Sequence, residues 1–438
     1  MQRSLLVLAA AALLARWSVA LVTERHPIFP AYAYADAALY DQDARLFAAE
    51  RRAGRPKPYR LTPNREIYTT WVIFFYYHLG TAPLLLKLIN GTLASASVLL
   101  WFLLVRSLSP PLAGKGADRA ALAAGLLLAL WPTHVFYTSQ NTKEAWTLLA
   151  LAAAFYLVLA AGREEPEQPR ARVSDLAPLG GALALLLAGL LRDHLVPAAG
   201  AVLLAGSAWK AFEGRKDPWS LRRGLWACAC VGLAVAVFRP GSAWLFERYH
   251  MSFAPRDTVP FVKGYVPPQD GARNVEPWTP EWLTQFRRAR QQSDQAYAQA
   301  SHHRRVGTQL FADLELKTWT DIASFLPAGA FTVLFMPLPG LYPMEGNIGR
   351  MLASAENVLI LALALLALPG ALRWAFNPGR APLLLFFLCV WLASSLMEVD
   401  LGSATRHRIV YLPFILPFSA WQALRLLESR QLRPGRKP

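Results

Sequence analysis

The sequence predicts an all-α polytopic membrane protein, a bundle of about ten transmembrane helices with two long outside loops. Hydrophobic residues make up 54% of its 438 positions and charged residues only 17%, which excludes an ordinary soluble enzyme of this length. About ten stretches approach the roughly 20 predominantly apolar residues that a helix needs to cross a bilayer. The mean hydropathy is only +0.26, so the connecting loops must include sizeable polar segments.

The predicted spans run from the N-terminal segment to a point just before the basic tail. A further apolar stretch at 326–337 is too short to span alone, and we expect it to be interfacial or re-entrant. The predicted spans are residues 5–22, 83–105, 120–136, 145–161, 176–191, 196–212, 225–246, 352–372, 382–397 and 409–427.

Lys and Arg in the short connections set the orientation, because positively charged loops resist translocation. Both termini are then cytoplasmic, and segments 23–82 and 247–351 lie outside. We therefore expect a multi-pass protein of a bacterial inner (plasma) membrane with its active site on the outer, periplasmic side. The basic segments that mark the cytoplasmic side are 106–119, 163–172, 210–223, 373–380 and the tail from 425.

The N-terminal segment has a signal peptide as its alternative interpretation. Arg3 precedes an apolar run that ends in the small-x-small sequence 18–20. Arg16 lies inside that run and argues against cleavage. Removing the segment would also leave an odd number of spans. One terminus would then lie on the side of the membrane that its positive charges disfavour. We therefore expect the first segment to stay as a span.

No internal repeat divides the chain, so we predict a single integrated membrane domain over 1–438. The first outside loop, 23–82, contains an acidic motif followed by an aromatic segment at 68–80 that is typical of a membrane interface. The larger outside loop, 247–351, begins with Pro-rich sequence. It continues as a partly helical surface region at 280–309 and ends in the interfacial or re-entrant stretch.

The acidic motif of the first outside loop is the strongest candidate for chemistry. Asp36, Tyr40 and Asp43 are spaced i, i+4 and i+7, so in a helix they share one face, with Asp41 next to it. Carboxylates in such a position can deprotonate an acceptor or hold a cation. The alternative is a solvated helix near the bilayer.

Basic residues at other predicted outside turns are candidates for binding phosphate. Arg192 interrupts apolar sequence between two spans, where charge is costly unless it is paired or functional. Lys143 stands at a comparable turn. The net charge of +16 favours anionic lipid headgroups or phosphates over nucleic acid in a membrane protein.

Three stretches resemble the GT-C fold glycosyltransferases, which include the protein O-mannosyltransferase and lipid A aminoarabinose transferase groups. Asp36, Tyr40 and Ala44 match the D-x-x-x-Y-x-x-x-A pattern that follows the first span in that family. The stretch at 130–144 resembles the family's Pro, Ser and Lys/Glu signature. The stretch at 406–417 is similar to the arginine, tyrosine and paired prolines that open its last spans.

The resemblance implies a GT-C-like bundle that moves a sugar from a polyprenyl-phosphate donor to a glycan, lipid or protein acceptor on the outer face. Asp36 is the first choice for the base that receives the acceptor proton. Many relatives carry Asp-Glu at this site, whereas this chain has Asp36-Ala37, which leaves Asp41 and Asp43 as substitutes. The residues expected to bind substrate are Tyr40, Lys143, Arg192, Arg406 and Arg408.

The sequence Asp41-Gln42-Asp43 has the Asp-x-Asp form that can hold a divalent cation. Mg²⁺ or Mn²⁺ bridging Asp41, Asp43 and a phosphate is therefore one interpretation. The many arginines reduce the need for such an ion, and no cofactor is required by the sequence.

Two other functions remain open at this point. A polysaccharide polymerase or O-antigen ligase also uses polyprenyl-linked glycans and outside arginines, but it would join whole glycans. A transporter or flippase normally places ionisable residues near the membrane midplane and often has inverted repeats. Here the charges gather outside the predicted spans, which favours an enzyme.

Overall fold

The computed structural model describes residues 1–29, 35–54, 66–112, 115–160, 171–248, 275–276, 279–302, 308–343 and 348–431. Within these ranges the regular structure is helical, apart from one isolated bridge between Gln309 and Asp400. The predicted all-α class is confirmed. The helices are α1 (Gln2–Arg25), α2 (Ala35–Arg52), α3 (Glu66–Leu79), α4 (Pro83–Leu108), α5 (Gly116–Leu130), α6 (Pro132–Thr138), α7 (Glu144–Leu159), α8 (Ala171–Leu191), α9 (Leu195–Glu213), α10 (Pro218–Arg248), α11 (Pro280–His302), α12 (Trp319–Phe335), α13 (Ile348–Trp374), α14 (Ala381–Met397), α15 (Leu401–Tyr411) and α16 (Leu416–Gln431).

Every predicted span falls on a helix. Five helices, α1, α4, α9, α10 and α13, are long and apolar enough to cross a membrane. Two further spans are bent pairs, α5 with α6 at 60° and α15 with α16 at 51°, which raises the number to seven. The other three predicted spans fall on shorter apolar helices, α7, α8 and α14. The protein is therefore a helical membrane protein. Its described residues contain five to seven spans by length and composition, where the sequence predicts about ten.

The chain divides into two compact units, each with its own buried core. Unit 1 comprises Met1–Met251, Leu363–Phe387 and Leu412–Pro438, and unit 2 comprises Ser252–Ala362 and Leu388–Tyr411. Helices α13 and α14 contribute to both. The single integrated domain over 1–438 stays a prediction.

The core of unit 1 is built by neighbouring helix pairs. Helix α1 packs on α4, α4 on α7, α7 on α8, and α9 on α10. Pro83 begins α4 at a position where its missing N–H costs nothing. Gly91 allows α1 to approach α4 closely, since an added Cβ would lie 3.2 Å from the Cβ of Arg16. These contacts bring α1, α4 and α7 side by side.

The bend between α5 and α6 is held by a buried arginine from α1. Pro132 has no N–H, so the carbonyl of Leu128, four residues earlier, lacks its helical donor. Arg16, which is fully buried, donates to the carbonyls of Leu128 at 3.4 Å and Ala129 at 3.1 Å. It also reaches His134 Nδ1 at 2.8 Å. The charge that argued against a signal peptide thus stabilises a break in a neighbouring helix.

Unit 2 is organised around a second buried arginine, on α11. Arg287 is 1% exposed and donates to the carbonyls of Leu396 at 2.8 Å, Glu398 at 3.0 Å and Leu310 at 3.2 Å. Burial lowers the pKa of Arg287 to about 10, so the guanidinium stays charged at neutral pH. Within the region predicted to be partly helical at 280–309, α11 runs over Pro280–His302, and its buried stripe includes polar side chains as well as Leu283. The position of this region at the surface of the membrane domain stays a prediction.

Residues 308–310, which precede α12, are held by two backbone hydrogen bonds, one to the start of α15 and one to Val399, two residues before it. The N–H of Leu310 donates to the carbonyl of Val399 at 2.8 Å, and the N–H of Leu401 donates to that of Thr308 at 2.9 Å. Helix α12 then begins with a capping box, because Thr318 and Asp321 each satisfy the backbone N–H of the other. The short apolar stretch at 326–337 lies mostly on this 17-residue helix, and its relation to the membrane stays a prediction.

Candidate functional site

Helix α2 presents the acidic motif as its spacing predicts. Tyr40 and Asp43 lie on its buried face, 4% and 8% exposed, together with Ala44 at 0%. Asp36 is half-buried one turn earlier on the same side. A carboxylate at the edge of a buried face can contact both protein and substrate. The structure therefore supports Asp36 as the more accessible of these two carboxylates.

Asp41 points to a different partner, the aromatic helix α3. Its carboxylate accepts from Arg45 Nε at 2.7 Å and from the hydroxyl of Tyr76. Burial raises the pKa of Tyr76, and the hydrogen bond to Asp41 raises it further, so the phenol stays protonated and donates. Asp41 therefore holds α2 against α3, and these two contacts already explain its position in structural terms.

Tyr68 of α3 joins the acidic helix to a second group of polar residues. Its ring meets the edge of Tyr40, with the centroids 5.0 Å apart. Its hydroxyl donates to Asn141 Oδ1 at 2.8 Å and accepts from Asn90 Nδ2 at 2.9 Å. Burial raises the pKa of Tyr68, which keeps the hydroxyl a donor. The two motifs that the sequence singled out separately are therefore neighbours in unit 1.

We call residues 138–144, between α6 and α7, the polar corner. All seven side chains in this segment are buried, from Thr138 and Ser139 at 0% to Lys143 at 8% exposed. Asn90 of α4 satisfies its backbone by donating to the carbonyls of Gln140 at 2.7 Å and Thr142 at 3.2 Å. Buried backbone without helical partners is stable only when such donors are supplied. The polar corner is thus a fixed structure.

A buried ion pair borders the polar corner. Arg192, between α8 and α9, donates through Nη2 to Glu144 Oε1 at 2.9 Å, and the two side chains are 6% and 1% exposed. Lys143, at the start of α7, is also buried. The structure brings Glu144 and Arg192 together, as expected for charges that are costly in apolar surroundings unless they are paired.

Two buried donors of this site are not used by the protein. Within the described part of the chain, Asn141 Nδ2 and Arg192 Nε have no hydrogen-bond partner. Buried N–H groups without partners are rare, and each costs about 1 to 3 kcal/mol. Such groups beside a buried cation can donate hydrogen bonds to the oxygens of a ligand. The site can therefore bind an anionic or hydroxyl-rich group.

The carboxylates of Asp41 and Asp43 do not fit a shared metal ion. Residues two apart on an α-helix point about 200° away from each other. Asp41 faces α3, whereas Asp43 lies on the buried face with Tyr40. No group of three or more His, Cys, Asp or Glu side chains is placed to hold a metal among the residues described. Asp41 and Asp43 are therefore not assigned as ligands of Mg²⁺ or Mn²⁺.

The two remaining candidates, Arg406 and Arg408, lie on α15 in unit 2. Arg408 is 1% exposed and donates to the carbonyl of Leu334 at 2.6 Å. Arg406 is half-buried. Nearby, His407 Nδ1 lies 2.5 Å from Glu398 Oε1, and Arg290 Nη2 lies 3.5 Å from Glu398 Oε2. Of the two predicted phosphate contacts, Arg406 is the more accessible.

Several residues of the site were not named by sequence reasoning. Asn90 is the clearest, since a polar side chain inside a predicted span is a recognised sign of function or packing. Tyr68 was noted only as one aromatic among many, and Asn141 only as part of a motif. Lys87 of α4 pairs with Glu24 of α1 at 2.8 Å, although each appears alone in the sequence. Spatial proximity between distant segments gives no local signal.

The oligosaccharyltransferase of Archaeoglobus fulgidus, solved in its apo form, is similar in structure. The match covers 99% of this chain at a TM-score of 0.45 and 15% sequence identity. It covers 53% of that protein, so this chain spans about half its length. No family model and no sequence of a characterised protein matches this chain.

Proposed function

We propose that this protein is a membrane glycosyltransferase of the GT-C type. It transfers a sugar from a polyprenyl-phosphate donor to a glycan, lipid or protein acceptor on the outer face of the membrane. The observation that supports this most is the contact of Tyr68 with both Tyr40 and Asn141. That contact places a carboxylate-bearing helix beside a buried polar corner with unused donors, and glycosyl transfer requires both a base and a phosphate site.

In this proposal Asp36 acts as the base. The acceptor hydroxyl loses its proton as its oxygen forms a bond to the anomeric carbon, and a carboxylate within hydrogen-bond reach can take that proton. Asp36 is half-buried, which leaves it open to an acceptor, while Asp43 is nearly enclosed at 8% exposed. Asp43 is the substitute base, and Tyr40 lines the same face.

The departing polyprenyl phosphate gains negative charge as the glycosidic bond to it breaks. Fixed cations and N–H groups stabilise that charge in the transition state. Arg192 is held by Glu144 in one orientation, with Nε left for a phosphate oxygen. Asn141 Nδ2 and the buried Lys143 complete the proposed phosphate contacts in unit 1.

We separately propose Arg406 and Arg408 of unit 2 as substrate-binding residues. A guanidinium can hold phosphate through two parallel hydrogen bonds, which Lys cannot do. Arg408 already donates to Leu334 O, so it also has a structural role. Of the pair, we expect Arg406→Lys to weaken donor binding without lowering the stability of the protein.

The location follows from the same proposal. The active site lies on the periplasmic side of the inner membrane, with both termini cytoplasmic, because the basic connections mark the other side. The lipid-linked donor reaches the site from the bilayer. Cysteine accessibility tests this orientation: residues introduced in 35–54 should react with an impermeant thiol reagent in intact spheroplasts, and residues introduced after 425 should not.

The experiment that tests the function uses purified wild-type protein and a panel of polyprenyl-phosphate monosaccharides, each with a radiolabelled sugar. Membrane extracts supply the acceptors. Transfer of one labelled sugar is the expected result. Failure with every monosaccharide donor, together with elongation of a lipid-linked oligosaccharide, would overturn the proposal in favour of a polymerase or ligase. The size of the product separates these two functions.

A matched set of three variants tests the base. Asp36→Asn, Asp41→Asn and Asp43→Asn each remove one charge from one helix without changing its length. We expect Asp36→Asn to lower transfer by about 100-fold or more and to leave thermal stability near that of wild type. Asp41→Asn should lower stability, because it loosens α2 from α3. Near-normal transfer by Asp36→Asn with loss in Asp43→Asn would move the base to Asp43.

A further inference from the structure

Unit 2 contains an open cleft between α11 and the segment that follows it. Its volume is about 440 Å³, within the range of roughly 300 to 1,000 Å³ that is usual for small-ligand sites. Five of the six described lining residues have polar side chains, and four of these side chains are amides. The described lining residues are Arg288, Gln291, Gln292, Gln295, Gln309 and Ala312.

The polar atoms of two of these glutamines fix the walls of the cleft. Gln291 is 8% exposed and donates from Nε2 to the carbonyl of Leu310 at 3.3 Å. Gln309 donates to the carbonyl of Gln291 at 3.1 Å. The two sides of the cleft are therefore tied to each other. Gln292, by contrast, is exposed and lies at the cleft.

An exposed aromatic side chain belongs to the same segment. Phe311 comes between the lining residues Gln309 and Ala312 in the sequence, so it adjoins the cleft without being one of its lining residues, and it is 38% exposed. Its backbone has a φ of +51°, which is unfavourable for a bulky side chain. Such strain persists only where neighbouring contacts enforce it, and it is typical of binding sites. The ring also meets Phe325 edge-on, with centroids 5.0 Å apart.

The contacts that enforce this conformation are all in unit 2. The preceding carbonyl, that of Leu310, accepts from Arg287 at 3.2 Å and from Gln291. The N–H of Leu310 donates to Val399. The backbone is thus held before Phe311 from two directions. Little conformational entropy would be lost when a ligand stacks on the ring, because the site is already ordered.

The charges at the cleft favour a neutral ligand. Arg288 is the cation in the lining, and it is paired with Glu315, which also binds Lys317 Nζ at 3.0 Å. A free phosphate would have to compete with that carboxylate. Amides offer both a donor and an acceptor on one group, which matches vicinal hydroxyls, and an aromatic ring covers the C–H face of a sugar.

We propose that this cleft binds a neutral glycan of one or a few sugar units, with Gln292 and Gln295 contacting hydroxyls and Phe311 stacking on a ring face. Only the role of this glycan, as the acceptor or as the product chain, rests on the proposed function. Binding itself requires no transfer, so the two proposals can fail separately. An extended peptide is the other ligand with matching hydrogen-bond groups, and the test includes it.

The test is direct binding to purified full-length protein in detergent, measured by saturation-transfer NMR. The probes are neutral oligosaccharides built from hexoses and a set of uncharged hexapeptides. Wild type should bind at least one oligosaccharide and no peptide. Gln292→Ala and Phe311→Ala should each lower the affinity about tenfold, as expected when a contact with the ligand worth roughly 1.4 kcal/mol is lost. Phe311→Trp should retain binding.

Gln285→Ala is the matched control. Gln285 is a glutamine on the same helix that bonds Glu281 at 3.3 Å and is not among the lining residues. Its replacement should leave glycan affinity unchanged. The inference is overturned if wild type binds peptides only or nothing, or if Gln285→Ala weakens binding as much as Gln292→Ala. Glycan binding without any glycosyl transfer would contradict the proposed function and leave this inference standing.

Discussion

Units 1 and 2 each contain a buried arginine that satisfies backbone carbonyls at a break in helical structure. In unit 1, Arg16 supplies donors where Pro132 removes one, at the bend between α5 and α6. In unit 2, Arg287 supplies donors to the end of α14 and to the segment after α11. The same side chain solves the same problem in two regions because a guanidinium has five N–H donors and no acceptor.

The two arginines differ in what surrounds them. Arg16 bonds two side chains as well as carbonyls, Thr138 Oγ1 at 3.2 Å and His134 Nδ1 at 2.8 Å. Arg287 bonds carbonyls, and one of them, that of Leu310, also accepts from Gln291. Removing Arg16 would therefore leave more groups without a donor. We therefore expect the free energy lost with a buried arginine to depend on whether its acceptors have a second donor.

The largest effect is expected for Arg16→Met. Methionine fills a similar volume but leaves the carbonyls of Leu128 and Ala129 and the side chain of His134 without their donor. We expect the free energy of unfolding to fall by about 3 kcal/mol, since each buried polar group left unsatisfied costs about 1 to 3 kcal/mol. Thermal unfolding in detergent, followed by size-exclusion chromatography, measures this loss.

Arg3→Met is the control on the same helix, because Arg3 is exposed near the N-terminus. It should change the midpoint of unfolding by less than 1 °C, consistent with a surface change of well under about 0.5 kcal/mol. Equal stability of Arg16→Met and wild type would contradict the role assigned to Arg16.

Arg287→Met in unit 2 should lower the free energy of unfolding by a smaller amount, about 2 kcal/mol. We expect it to weaken two backbone hydrogen bonds, the one from Leu310 to Val399 and the one from Leu401 to Thr308. Hydrogen exchange of these two amides should accelerate, while exchange in α4 stays as in wild type. Arg288→Met, a change to an exposed neighbour, serves as the control. Acceleration spread evenly over both units would show that Arg287 has no local role.

A double-mutant cycle measures the coupling between Arg16 and Pro132 in unit 1. Pro132→Ala restores an N–H that can serve the carbonyl of Leu128, so part of the need for Arg16 disappears. Arg16→Met should then cost about 1 kcal/mol less in the Pro132→Ala background than in wild type, as is usual for residues that share a partner. Strict additivity of the two changes would mean that the bend and the arginine are independent.

The smallest effect concerns pH and the exposed charges of unit 2. Hydrogen bonding and charge from Lys317, with the charge of Arg288, hold the pKa of Glu315 below its usual 4.5. A lowered folded-state pKa adds stability that is present above the usual value and lost as pH falls through the lowered one. Wild type should therefore lose slightly more stability than Glu315→Gln on acidification below about pH 4.5, and 1 M salt should remove the difference. Parallel pH profiles in low salt would contradict this.

The sequence predicted the elements of the fold better than their contacts. Hydrophobic runs located a helix at every predicted span, because length and apolar composition are local properties. They did not predict that α5 and α6 form a bent pair. The predicted spans 145–161 and 382–397 do match α7 and α14, which have 16 and 17 residues. A prolyl break and a helix boundary depend on which donors arrive from elsewhere in the fold.

The candidate site shows the same limit. The spacing of Asp36, Tyr40 and Asp43 predicted a helix with a shared face, and α2 confirms it. The pairing of Arg192 with Glu144 was not predicted, since the two residues are 48 positions apart. Arg16 gave a visible signal, as a charge in an apolar run, whereas Arg287 is one arginine among several in a polar helix. Burial reveals its role, and burial is a tertiary property.

The most direct test of the central claim is the rate of sugar transfer by Asp36→Asn in a single turnover. Wild type and variant are compared at equal amounts of folded protein, each saturated with the polyprenyl-phosphate donor that the panel identifies. If Asp36 is the base, the rate should be lower by about 100-fold or more, with unchanged affinity for the donor. A near-normal rate would show that Asp36 is not the base, and absence of transfer by wild type from every donor would contradict the proposed function itself.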